Sequence, residues 1–281
     1  MTNKIFIQAN TKQLLGAKIA KYALEKHRQN PASFTVEILN VDEMPLFKKY
    51  AGMEFRRGKE TRSLDPEDLQ FFTLSRFMPP ERMGYTGKAI VIDPDIFALV
   101  DMSELFDFDL KGNAIAACRK KDAWDSSVML LDCGALKHWS IEKILEDLSS
   151  SKADYNDVMT LRNEHVSELP RIYNSLDVLT PETKMLHTTG RLTQPWKTGL
   201  PVDFTRNDPG KLFGIWPRIW DLKLRGKWPT TYQPHPDKNI EKIFFELAQK
   251  AQSDDAISLE EINREISAGN VRKDFLQYVN N

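Results

Sequence analysis

The sequence predicts an α/β fold, a mixed but mostly parallel sheet flanked by helices, with a helical C-terminal tail. Three observations carry that prediction. Ile5-Phe6-Ile7 is a short apolar strand, a helix-spaced run follows it, and Phe34-Thr-Val-Glu-Ile-Leu39 alternates as a second strand. Strand, helix, strand at this spacing implies a parallel pair. A later apolar run, Ala89-Ile-Val-Ile92, is continuous rather than alternating, which is the pattern of a strand buried on both faces.

The elements follow in order. Leu14, Leu15, Ala17, Ile19, Ala20, Ala23 and Leu24 recur at three- and four-residue spacing and define the first helix, closed by Asn30-Pro31. Residues 43–66 are charged and aperiodic and are expected to form a surface excursion. Pro66-Glu-Asp-Leu opens a helix, with proline early and acids in the first turn, that stops before Pro79-Pro80. Ala114-Ile-Ala-Ala-Cys118 and Ser127-Val-Met-Leu-Leu-Asp132 read as further strands, and Ser140 caps a helix running to Leu148. Residues 195–237 are rich in Pro, Trp and Lys/Arg with little periodicity, and 238–252 are helical. Ser258-Leu-Glu-Glu261 is a capping box opening another helix, which Gly269 ends. The expected organisation is a catalytic domain over 1–200, with residues 201–281 packed on it.

Composition narrows the function classes. The 281 residues carry a net charge of −1, so no general basic bias points to nucleic acid. Cys118 and Cys133 fit neither a zinc motif nor a disulfide framework, which makes a reducing cytoplasm the default. The N-terminal segment lacks the long apolar core of a signal peptide, and no window is long and apolar enough for a membrane span.

The strand at 89–92 ends on Asp93-Pro94-Asp95. Two carboxylates one residue apart repel unless a cation offsets them, and hard divalent ions take carboxylate oxygens. Such an ion could hold the diphosphate of a nucleotide. An ordinary Asp/Pro turn is the competing reading. Far downstream lies His187-Thr-Thr-Gly190-Arg191-Leu-Thr-Gln194-Pro195-Trp196-Lys197. An imidazole added to two carboxylates makes a reasonable shell for manganese. Gly190 would let the backbone approach a diphosphate, and Arg191 and Lys197 could bring positive charge to it.

In these pieces and their order the chain resembles glycosyltransferase family 8, which includes glycogenin and bacterial lipooligosaccharide galactosyltransferases. The resemblance covers roughly residues 4–200. It implies a GT-A fold, a nucleotide-diphosphate sugar donor with UDP as the nucleotide, Mn²⁺ (or Mg²⁺) and retention of anomeric configuration. Ile5-Phe-Ile-Gln8-Ala9-Asn10 matches the opening strand, whose end meets the nucleoside. Leu15-Gly-Ala17 matches the first helix, and Ser75-Arg76-Phe77 the arginine at the donor site. Ile92-Asp93-Pro94-Asp95 matches the metal motif, with His187 the third ligand. Trp124-Asp125-Ser126-Ser127 resembles the Asn-x-Gly strand beside the sugar, and Tyr155-Asn-Asp157 the acidic segment near the anomeric carbon. Leu169-Pro-Arg-Ile-Tyr-Asn174 and the His187–Trp196 stretch match the C-terminal signature. Asp125 and Asp157 are therefore the candidate catalytic carboxylates.

The departures leave choices open. Asp125-Ser126-Ser127 stands where the family has Asn-Ala/Ser-Gly, Val158-Met159 follows Asp157 in place of Gln-Asp, and Gln194 replaces a lysine. Retention by a covalent glycosyl-enzyme and by front-side attack both remain, as do a degenerate sugar- or nucleotide-binding protein and a nucleotidyltransferase. The last normally shows a glycine-rich basic loop after the first strand, and Gln8-Ala-Asn-Thr-Lys-Gln13 has no glycine. Within 211–228, Trp216, Trp220 and Trp228 mixed with cations have three readings: core packing, an acceptor platform, or a peripheral membrane contact for a lipid-linked acceptor. His235 reads as a turn residue before a helix capped by Asp237, and His27, His138 and His165 as structural or surface residues.

Overall fold

The computed structural model describes residues 3–206, 211–212 and 216–279. In chain order, β1 (Asn3–Ala9), α1 (Leu14–His27) and β2 (Phe34–Asn40) form the opening unit. Next come α2 (Pro45–Lys49), the hairpin β3 (Glu54–Arg57) and β4 (Glu60–Ser63), a 3-10 helix (Leu69–Phe77) and α3 (Pro79–Arg82). The middle of the chain supplies β5 (Lys88–Ile92), β6 (Ile96–Ala98), β7 (Ile115–Lys120), β8 (Ala123–Asp132), α4 (Ile141–Ser149) and α5 (Tyr155–Met159). Then follow β9 (Val166–Glu168), β10 (Ser175–Leu176), β11 (Met185–His187), β12 (Lys211–Leu212), β13 (Trp216–Pro217), α6 (Arg218–Leu224), α7 (Lys238–Ser253), α8 (Leu259–Ser267) and α9 (Phe275–Val279).

The central sheet has the order β2-β1-β5-β8-β7-β9, and only β8 runs against its neighbours. This is the mixed, mostly parallel sheet that the sequence predicts. Both faces are covered, so alternate side chains of one strand enter different cores. Ile90 and Ile92 of β5 join the layer that holds α1 and the C-terminal helices, while Ala89 and Val91 join the opposite layer. Phe6 and its neighbours Ile5 and Ile7 divide in the same way.

A smaller sheet, β10-β11-β6, sits beside the end of β5. Its β11 pairs antiparallel with β6, placing His187 opposite Ile96. The tail closes over this region. Trp196 is fully buried and stacks on Phe244 of α7 with ring centroids 5.0 Å apart. The Arg272 amide donates to the Trp196 carbonyl at 2.8 Å. Gly16 of α1 makes room for this packing, because a Cβ there would stand 3.0 Å from the Trp196 ring and 3.1 Å from the Pro94 carbonyl.

Several local expectations change. The stretch expected to be irregular over 43–66 contains α2 and the β3–β4 hairpin. Its strands show little alternation because most of their side chains are solvent-exposed, so no buried face marks the period. The helix expected from Pro66 begins at Leu69 as 3-10 helix, with Asp68 accepting from the Gln70 amide. Nearly all its residues are buried, so tertiary packing rather than an amphipathic face sets its geometry. The caps at Ser140, Asp237 and Ser258 are present, and Gly269 has a φ of 75°. Both cysteines are buried free thiols. No helix among the described residues is long and apolar enough to cross a membrane. Part of the 211–228 segment, including residues 213–215 and the side chains of Trp216 and Trp220, lies outside the described residues.

Candidate active site

The end of β5 delivers Asp93 and Asp95 to a cleft of about 340 Å³. β11 carries His187 to the same point through its pairing with β6. One ligand atom from each of Asp93, Asp95 and His187 lies within 4.8 Å of the other two. Hydrogen bonding leaves the correct atoms open. Gln8 Nε2 and Arg76 both donate to Asp93 Oδ1, the latter at 3.0 Å, so Oδ2 is left over. Gln194 Nε2 donates to Asp95 Oδ2 at 3.1 Å, which leaves Oδ1, 3.5 Å from His187 Nε2. His187 Nδ1 donates to Asn174 Oδ1 at 2.8 Å, so Nε2 presents its lone pair.

Electrostatics agree with this geometry. Burial pushes the Asp93 and Asp95 carboxyls above the usual carboxylate range. Burial also pushes His187 down, which favours the neutral imidazole that ligates metals. Among the described residues Asp95 has no lysine or arginine partner. Two close carboxylates, Asp95 buried and Asp93 partly so, with one arginine on Asp93 lack positive charge, which a divalent ion would supply. The donor set of two carboxylates and one imidazole therefore fits Mn²⁺ or Mg²⁺.

Asp125 approaches from β8. A register shift opposite Ala117 and Cys118 makes the strand bulge after Asp125, and bulges re-aim side chains beside functional clefts. Ser127 Oγ donates to Asp125 Oδ1 at 2.6 Å and accepts from Asn174 Nδ2 at 2.9 Å. A continuous chain of donors thus runs from the His187 imidazole through Asn174 and Ser127 to Asp125. Burial works to raise the Asp125 carboxyl. The Ser127 bonds and the neighbouring Lys120 oppose it, and the group is held below the usual range. Arg76 also donates to Ser126 Oγ at 2.7 Å, tying that residue to Asp93.

The structure brings together Arg76, Asp93, Pro94, Asp95, Asp125, Ser127, His187 and Arg191 around the cleft. Gln8 and Ser126 stand directly behind it, through Asp93 and Arg76. Ala9 and Ile92 are core residues. Asn10 is fully buried, donating to the Leu69 carbonyl at 3.2 Å while its Oδ1 has no partner among the described residues. Gly190 is held from behind, its amide donating to Asp177 at 3.0 Å.

Two sequence-based assignments need correction. Lys197 does not reach the cleft: it is buried, and its ammonium donates to Asp203 at 2.9 Å. It ends the 3-10 turn Pro195–Lys197, all three residues of which are buried. Asp157 does not line the cleft either, and pairs with Arg162 at 2.9 Å. On α5, Tyr155, Asn156 and Met159 line the cleft, with Thr160 at its C-cap, whereas Asp157 lies about 100° round the helix from Asn156 on the side away from Tyr155. Sequence reasoning missed three amides, Gln13, Asn174 and Gln194. Gln13 Nε2 donates to Gln194 Oε1 at 3.2 Å, extending the support of Asp95. The only advance signal was the position of Asn174 and Gln194 within the C-terminal signature. His235 is a buried turn residue whose Nε2 donates to Asp177 at 3.1 Å, beside Gly190.

The sequence model of glycosyl transferase family 8 matches residues 7–174. That match spans more than half the chain. The chain belongs to glycosyl transferase family 8. A probable galacturonosyltransferase 13 of Arabidopsis thaliana is 27% identical over 121 residues, 42% of this chain and 23% of that protein. Protein CDI of the same plant is 23% identical over 193 residues, 62% of this chain and 69% of that protein. The family 8 chain thus spans less than a quarter of the first relative and about two thirds of the second. The apo glycosyltransferase GlyE of Streptococcus pneumoniae superposes with a TM-score of 0.49 at 16% identity, covering 84% of this chain and 66% of that one. With the family established, the mixed, mostly parallel sheet is the GT-A fold.

Proposed function

We propose that this chain transfers a sugar from a nucleotide-diphosphate donor, UDP-linked, to a saccharide acceptor, with retention at the anomeric carbon. The observation that carries the proposal is the cluster Asp93, Asp95 and His187, opening on a cleft that also holds Arg76 and Asp125, in a family 8 chain. Asp93, Asp95 and His187 would hold Mn²⁺ or Mg²⁺. A bound ion supplies charge neutralisation for a departing diphosphate. Arg76 and Gln8 fix the Asp93 carboxylate so that one oxygen stays open. Gln194 does the same for Asp95. Asp125 presents an ionised carboxylate where positive charge develops on the sugar; it serves as nucleophile or as electrostatic support. Asn174 and Ser127 orient it.

The test is thermal stabilisation of the protein by UDP, GDP, ADP and CMP, each with Mn²⁺ and with EDTA, followed by UDP release from UDP-sugars. A ligand that binds the native state raises the melting temperature by mass action. The reading expects a rise with UDP and Mn²⁺ together. Asp93→Asn or His187→Ala removes that rise. Asp125→Asn keeps it but lowers turnover by about 100-fold or more, whereas Asp157→Asn keeps both. Stabilisation by UDP without any UDP release would make the chain a degenerate binder, and no stabilisation by any nucleotide would overturn the donor assignment.

A further inference from the structure

A second cavity, of about 410 Å³, lies beside the metal cleft, between the loop at residues 190–193 and Phe204, Arg206 and Trp228. Its volume is within the range of small-ligand sites. Arg191 lines both this cavity and the cleft, so the two are neighbours on either side of that residue.

Its ionisable lining is all of one sign. Arg191 and Arg206 are the charged residues there, and no carboxylate lines it among the described residues. Neither guanidinium is ion-paired among the described residues. Arg191 donates to Gln70 Oε1 at 2.8 Å, and Arg206 donates to the Pro229 carbonyl. Both lie against the Phe204 ring, 5.0 and 5.7 Å from its centroid, and Arg206 also lies 4.8 Å from the centre of Trp228. Stacking against rings fixes the plane of a guanidinium while leaving N–H groups on its edge for an oxyanion. Burial and the neighbouring Arg57 and Arg62 push the Arg191 guanidinium down, and Asp68 opposes them only in part. A like-charged, ring-bound pair with no carboxylate in the described lining presents free guanidinium edges to an anion.

We infer that this cavity holds the acceptor, and that the acceptor sugar carries an anionic group, a carboxylate or a phosphate, bound by Arg191 and Arg206 beside the aromatic faces. The inference rests on the donor reading above, because the cavity is an acceptor site only if the cleft takes the donor.

The experiment begins with UDP and Mn²⁺ binding to the whole protein by calorimetry. The UDP-loaded protein is then titrated with methyl glucoside, methyl glucuronide and methyl glucoside 6-phosphate. The expected result is binding of at least one anionic glycoside about tenfold or more tighter than the neutral one; which of the two binds identifies the group as carboxylate or phosphate. Arg206→Gln abolishes the preference, Arg206→Lys retains part of it, and both keep wild-type UDP affinity. Equal binding of the three glycosides, or no binding, overturns the inference while leaving the donor reading intact. Loss of UDP affinity in Arg206→Gln also overturns it, by assigning the cavity to the donor. Failure of the wild-type protein to bind UDP removes the reading on which it rests.

Discussion

Asn174 is the residue on which the site's order most depends, and its removal has a calculable effect. Its side chain is fully buried and makes two hydrogen bonds, from His187 Nδ1 at 2.8 Å and to Ser127 Oγ at 2.9 Å. Asn174→Ala strands the imidazole N–H in a dry environment, at a cost of about 1–3 kcal/mol. For a chain of this size each kcal/mol lowers the melting temperature by roughly 2–4 °C. It also frees the ring to turn, and loss of such an outer partner costs about 10–100-fold in metal affinity. Asn174→Asp separates the two bonds. It keeps an acceptor for His187 but turns a second oxygen, in place of the amide donor, toward Ser127. Ser127 then no longer has a donor behind it, and its hydroxyl is shared between two carboxylates. The assays are Mn²⁺ titration by calorimetry in the presence of UDP, melting temperature, and UDP release. The alanine variant should lose metal affinity and turnover together. The aspartate variant should hold Mn²⁺ within a few-fold of wild type yet lose turnover. A folded Asn174→Ala protein with wild-type Mn²⁺ affinity would refute the orienting role.

Two further substitutions probe how the frame meets the site. Gly16→Ala gains up to about 1 kcal/mol of helix propensity but forces a methyl against the Trp196 ring and the Pro94 carbonyl, an overpacking cost of about 1–3 kcal/mol; a lower urea midpoint with weakened Mn²⁺ binding is expected, and an unchanged pair would show that α1 does not set the Asp93–Asp95 turn. Glu261, bonded to Lys18 and to the Ser258 amide, has its carboxyl lowered from 4.5 to about 2, so its contribution is complete above the unfolded value and is lost as pH falls through the folded one. Its partners are partly exposed, which limits the gain over Glu261→Gln to about 1 kcal/mol at pH 7; denaturation curves of the two proteins should converge as pH falls from 4.5 toward 2, and a gap that persists at the lowest pH would point to packing instead.

Features that depend on neighbouring residues were legible in the sequence. The strands at 5–7 and 89–92 announce their double burial, and the caps at Ser140, Asp237 and Ser258 announce their helices, because each signal lies within a few positions. Asp93 and Asp95 are visible for the same reason. His187 meets them only through the β6–β11 pairing, which carries no local mark, so its role was reached through the order of the family's motifs. Asp157 and Lys197 show the limit of motif order: Asp157 occupies a matching position and Lys197 stands close to one that Gln194 fills, yet the first pairs with Arg162 and the second with Asp203. Asn174 and Gln194 were hidden because amides are common, and only their partners reveal what they do. The β3–β4 hairpin was missed because exposed strands lack the apolar alternation on which strand reading depends.

The docking of Trp196 has a consequence for synthesis. Phe244 and Phe275 fill the same aromatic cluster as Trp196 and Phe97, and the Arg272 amide anchors the loop that carries Gln194. Translation delivers the sheet and both carboxylates well before these residues. During that interval the loop has no backing, and Asp93 and Asp95 repel each other without Gln194 at hand. The cleft around Asp93 and Asp95 therefore cannot be finished before residues 240–279 have been made and have docked. Its order arises in one late step rather than strand by strand.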